Sequence, residues 1–118
     1  MPRIQKTIAA ALIALAGCAS TAATPTKISN ATAAKAEQDM RDKLRDPASG
    51  QFRNFRAYDV ANGERAICAD ANARNGMGGL TGFQPMVIFY RGGDHIVFFD
   101  DLAAYECSRL SSGTSSRM

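Results

Sequence analysis

The sequence has no tryptophan, one histidine and only 8% aromatic residues. Sites that stack nucleic-acid bases need several rings, so that class of surface is excluded. Charge of one sign is scarce too. Fourteen Lys and Arg stand against 11 Asp and Glu, a net of +3, far short of the basic excess that nucleic-acid binders gather on one face. With 118 residues there is room for one small domain and none for an enzyme with a cleft between two domains. No apolar run approaches the roughly 20 residues of a membrane-spanning helix; Ile8 to Ala16, the longest, has nine.

That short run has a telling setting. Arg3 and Lys6 precede it, and Leu15-Ala16-Gly17-Cys18 closes it. A positive start, a brief apolar stretch and small residues before a cut make an export signal over residues 1–17. With a cysteine directly after, the four residues resemble the lipobox of bacterial lipoproteins. The resemblance implies that Cys18 becomes the acylated first residue of the mature chain, carrying palmitate-type chains that hold it in a membrane. Each buried CH₂ contributes about 0.8 kcal/mol, and two or more chains anchor stably where one does not. Ala19, in place of the Asp that retains such proteins in an inner membrane, implies an outer membrane and a periplasm-facing domain. Loss of residues 1–17 leaves 12 basic against 11 acidic side chains, so most of the apparent basicity leaves with the signal.

With Cys18 so used, Cys68 and Cys107 remain. An oxidising envelope favours a disulfide between them, with two separate buried thiols as the alternative. Together with His95 they make three scattered candidate ligands without CxxC or HxxxH spacing, so no metal and no cofactor is expected.

Along the mature chain, residues 18–32 are mostly Ala, Thr and Ser and read as a flexible tether, and residues 111–118 as a disordered tail. A single domain is expected over residues 33–110. Ala33, Ala36, Met40 and Leu44 place an apolar stripe at helical spacing, predicting a helix over 33–45 that ends before Pro47, with Asp39 and Lys43 as an i,i+4 pair. Gln51 to Val60 and Glu64 to Asn72, joined by Ala61-Asn62-Gly63, predict one hairpin. Met86 to Tyr90 and His95 to Phe99, joined by Arg91-Gly92-Gly93-Asp94, predict a second. Residues 100–110 fit a short closing helix. The expected fold is α+β: an N-terminal helix packed on an antiparallel sheet of about four strands, with that closing helix and one disulfide.

Between the hairpins, four glycines fall among seven residues from Gly76 to Gly82. No Lys follows them and no helix is expected after them, so neither phosphate-loop pattern applies. Leu44-Arg45-Asp46-Pro47-Ala48-Ser49-Gly50-Gln51-Phe52-Arg53, Ile67-Cys68, Asn72-Ala73-Arg74-Asn75 and Gly78-Gly79-Leu80-Thr81-Gly82-Phe83 resemble a family of small, mostly uncharacterised bacterial and phage-encoded envelope proteins. Its members join an L-x-D-P-x-S-x-x-F stretch to C-G-x-V-N-A-K-N-x-x-G-G-Y-x-G-F and a late cysteine. Ala69, Asp70 and Ala71 depart from that pattern, Arg74 keeps the charge of its Lys, and Leu80 replaces its Tyr. The family brings no activity with it.

Two roles stay open for this loop. It is either a structural turn, or a recognition loop in which Asn72, Arg74 and Asn75 are polar anchors and Met77, Gly78, Gly79, Leu80 and Phe83 supply the close apolar contact. His95 has no evident partner base or nucleophile, and Asp100, Asp101 and Glu106 form no acid pair, so catalytic residues are not expected. The leading expectation is a non-catalytic envelope lipoprotein, with a membrane anchor on Cys18, that binds an envelope protein or the cell wall. The alternatives are an inhibitor or immunity-type lipoprotein that blocks a wall hydrolase or toxin, and a small envelope hydrolase.

Overall fold

The computed structural model describes residues 21–74 and 79–115. The elements run β1 (Thr21–Thr26), α1 (Asn30–Arg41), β2 (Gln51–Val60), β3 (Glu64–Asn72), β4 (Gln84–Arg91), β5 (Asp94–Phe99), α2 (Asp100–Ser111) and β6 (Thr114–Ser115). The six strands form one curled antiparallel sheet in the order β5-β4-β3-β2-β1-β6. Both expected hairpins are present. Val60 pairs with Glu64 across a turn in which Asn62 and Gly63 have φ of 74° and 78°, a conformation that Asn and Gly adopt at least cost. Arg91 pairs with Asp94 across Gly92-Gly93.

The expected arrangement of a leading helix on about four strands is wrong. Thr21–Thr26, assigned to the tether of residues 18–32, is a strand that precedes the helix and pairs with both β2 and β6. Part of the tail of residues 111–118 is ordered as well: Ser111 ends α2, and Thr114–Ser115 pairs with β1, with Ser115 fully buried. Pro25 disguised β1, because proline cannot donate to a ladder and argues against a central strand. It is tolerated because β6 pairs only with residues 21–22, so β1 is an edge by the time it reaches Pro25. Cys18 and the signal of residues 1–17 lie outside the described residues, as do Asn75, Gly76, Met77 and Gly78.

The helix is shifted from 33–45 to Asn30–Arg41. Ser29 caps it, its hydroxyl accepting the Thr32 N–H at 3.1 Å. Beyond Arg41 the backbone tightens, with Lys43 N–H bonding Met40 O and Leu44 N–H bonding Arg41 O at 3.0 Å each. Lys43, Leu44 and Arg45 therefore form a turn that leads to Pro47.

The helices cover opposite faces of the sheet. Alternate residues along β3 and β4 point to opposite sides. Ala66, Cys68, Val87 and Phe89 join Ala103, Cys107 and Leu110 of α2 in one cluster, and Ile67, Ala69, Met86 and Ile88 join Ala36 and Met40 of α1 in the other. Burial on both faces is why the β4 run is apolar without alternation. A disulfide between Cys68 on β3 and Cys107 on α2, with Cα atoms 6.1 Å apart, staples α2 to its face.

On the other face, Tyr90 donates its hydroxyl hydrogen to Asp39 Oδ2 at 2.6 Å, and Lys35 Nζ lies 2.9 Å from the same oxygen. Asp39 thus pairs with Lys35, not with Lys43 as expected. Burial alone would raise the Asp39 pKa, but the Tyr90 and Lys35 hydrogen bonds and the Lys35 and His95 charges outweigh it and hold it below the ordinary carboxylate value. Burial first, then the bond to Asp39, pushes the Tyr90 phenol above its ordinary value of 10.0. The signs follow from linkage. The Asp39 contribution is present at neutral pH and lost as pH falls through its lowered pKa; the Tyr90 contribution is lost as pH rises past the ordinary phenol range. Tyr90→Phe is expected to cost about 1–2 kcal/mol at pH 7 and to flatten both limbs of stability against pH, measured by urea unfolding from acid to alkaline buffers.

Candidate functional site

The turn over residues 46–51 and the two ends of the glycine-rich loop, residues 72–74 and 79–83, meet in space. Ser49 Oγ donates to Asp46 O at 2.7 Å and accepts the Arg74 N–H at 2.9 Å. Asp46 Oδ2 lies 3.7 Å from Arg74 Nε. Buried Asn72 accepts the Gly82 N–H on its Oδ1 at 2.9 Å and donates from Nδ2 to Gln51 Oε1 at 3.3 Å. Arg74 and Leu80 form a β-bridge, and the Thr81 N–H bonds Ala73 O at 3.1 Å. The Arg53 guanidinium stacks on the Phe83 ring 3.6 Å from its centroid.

This geometry separates the candidate loop residues. Buried Asn72 ties the loop's stem together, while half-buried Phe83 carries the exposed Arg53 guanidinium on its ring. Arg74, Gly79 and Leu80 are exposed, Leu80 to 57%.

Below the stem lies a cleft of about 470 Å³. Leu44, Met86 and Phe99 give it apolar surface, Lys43, Arg45 and Arg74 line it with cations, and Asp100 is its one carboxylate among the described residues. Of these residues, sequence reasoning marks only Arg74 as a site residue. It reads Lys43, Leu44, Arg45, Met86 and Phe99 as parts of secondary-structure elements and sets Asp100 aside as an acid. The available signal was the Lys43-Leu44-Arg45 triplet just before Asp46-Pro47, two cations flanking an apolar residue where a helix must already have ended.

Arg41 ties the end of α1 to the turn that follows it. Its Nη1 donates to Pro47 O at 2.8 Å and to Gly50 O at 3.0 Å, while Nη2 reaches Glu37 Oε2 at 2.6 Å. Gly50 is needed at this crowded spot, because a Cβ there would lie 2.7 Å from Leu44 Cδ1 and 3.0 Å from both Arg41 Nη1 and Phe52 Cε1. Gly50→Ala is therefore expected to cost about 1–2 kcal/mol, read as a lower urea midpoint.

A second, larger cleft of about 680 Å³ sits at the opposite end of the sheet, between α1 and the hairpin turns. Its charged groups are paired: Arg65 with Asp59 at 3.1 Å, Lys35 with Asp39, and buried Glu64 with Arg91 at 3.7 Å. His95 lies at this end, exposed, with its ring 5.7 Å from that of Tyr90. Asp100 and Asp101 occupy the first turn of α2, where the helix dipole favours negative charge, and Glu106 is buried on the same helix. Among the described residues no group of His, Cys, Asp and Glu is arranged to hold a metal ion, and no helix is long and apolar enough to cross a membrane.

Compared with protein-family models, with curated proteins and with solved structures, the chain matches none.

Proposed function

We propose that the chain is a non-catalytic lipoprotein of the cell envelope, anchored through Cys18, that holds a macromolecular partner at the end of its sheet remote from the anchor. The polarity of β1 carries this reading. Ala23 pairs with Val60 and Thr26 with Ala57, so β1 enters beside the Asn62-Gly63 turn. Asn72, where the loop begins, pairs with Gln51 at the far end of β2, about 30 Å away at the rise of a strand. An anchor at Cys18 lies three residues before Thr21, a reach of at most about 10 Å. Such a domain sits close on the membrane with Leu80 and the cationic cleft turned away from it.

Labelling with radioactive palmitate tests the anchor. The parent chain is expected to take up label and Cys18→Ser to take up none; equal labelling removes the proposal. Orientation has its own test. A fluorophore at exposed Asn62 is expected to transfer energy to a membrane-borne acceptor several-fold more strongly than one at exposed Leu80, and equal transfer would contradict the arrangement. Capture from envelope extracts then identifies the partner, and recovery of a wall hydrolase would make the protein that enzyme's inhibitor.

A further inference from the structure

We propose that the cleft beneath the loop stem takes an acidic polypeptide segment bearing an apolar side chain. This deepens the reading of the chain as an interaction module and names its partner's chemistry. Charge complementarity over an apolar floor favours this occupant. Lys43, Arg45 and Arg74 approach from two separate turns, while Asp100 is the one carboxylate lining the cleft among the described residues. Lys43 and Arg45 are exposed and make no ion pair among the described residues. Arg74 already faces Asp46, at 3.7 Å, so the attraction for an acidic segment rests chiefly on Lys43 and Arg45.

Leu44, Met86 and Phe99 line the same cleft. Carboxylates bind the rim while one apolar side chain fills the floor, and exposed Leu80 beside Arg74 extends the contact outward. The volume of about 470 Å³ falls within the range of ligand pockets and suits a short segment better than a folded surface. A nucleic acid would need a series of exposed rings for stacking, and Phe99 is the single ring in the cleft lining.

The test uses the purified, detergent-solubilised full chain and a fluorescein-labelled peptide of glutamates around one central phenylalanine. Its counterpart has glutamine in place of every glutamate. Fluorescence anisotropy is expected to show the glutamate peptide bound about tenfold or more tightly than the glutamine one. Raising salt from about 0.05 to about 0.3 M is expected to erode that difference. The double variant Lys43→Glu/Arg45→Glu is expected to lose about tenfold or more for the glutamate peptide while keeping its thermal midpoint, since both side chains are exposed. Equal affinity for the two peptides, or unchanged affinity in the double variant, overturns the proposal. Displacement of the peptide by phosphatidylglycerol vesicles at matched charge also overturns it, by giving the cleft to a lipid surface. The measurement does not depend on acylation, so failed palmitate labelling leaves it intact. A chain that captures envelope partners but ignores the acidic peptide loses the assigned chemistry and keeps the module reading.

Discussion

Replacing both Cys68 and Cys107 with alanine is expected to cost about 4 kcal/mol and to lower the thermal midpoint by roughly 20 °C. The disulfide closes a loop with a sequence separation of 39 residues, and that closure removes conformational freedom from the unfolded chain. A small domain has little else in reserve. The bond also does specific work in the native state, since it ties α2 to the central strand β3. Without it α2 is held by Ala103, Leu110 and its short links to β5 and β6. Calorimetry of the parent chain with and without reductant measures the same quantity, and the reduced parent and the double alanine variant are expected to melt together. Cys68 is fully buried and Cys107 nearly so, so reduction of the native protein is expected to be slow below the transition. Coincident midpoints in oxidising and reducing buffer would show that packing alone holds α2.

The parts of this fold legible in the sequence are those where one physical signal dominates. The Asn62-Gly63 and Gly92-Gly93 turns mark strand ends because few other residues take those conformations, and the strands flanking them match the expected segments closely. Met86 to Tyr90 is dense enough to require a covered strand. β1 gave no such signal. Thr-Ala-Ala-Thr-Pro-Thr has little apolar bulk, and its pairing partners, Ala57 to Val60, are more than thirty residues away. β6 exists because α2 ends beside β1, with the Ala23 N–H bonding Gly113 O at 3.0 Å, and a polar Thr-Ser pair cannot announce that.

The site was half legible for a similar reason. Asn72, Arg74 and Phe83 stood out by residue type, but type does not say which way a side chain faces. The structure buries Asn72 in the stem, leaves Phe83 half-buried beneath Arg53, and turns Arg74 and Leu80 outward. The cleft itself joins residues from 43 to 100, and only the folded sheet brings them together.

Met40→Ala is expected to cost about 3 kcal/mol and to abolish peptide binding at the cleft without disturbing the disulfide face. Met40 and Ala36 are the two buried residues of α1, and alanine has no further bulk to lose. Removing the methionine therefore takes away most of the apolar surface that seats the helix on the sheet. The turn Lys43-Leu44-Arg45 follows directly, and Leu44 packs on the same cluster as Met40. Two cations of the cleft thus depend on a side chain that does not line it. Met40→Leu conserves volume and is expected to cost less than about 1.5 kcal/mol and to restore binding. The comparison with Lys43→Glu/Arg45→Glu separates seating from charge. The charge-reversal variant is expected to lose affinity at unchanged urea midpoint, whereas Met40→Ala loses both. Retained binding in a destabilised Met40→Ala chain would mean that Arg41, through Pro47 O and Gly50 O, positions the turn by itself.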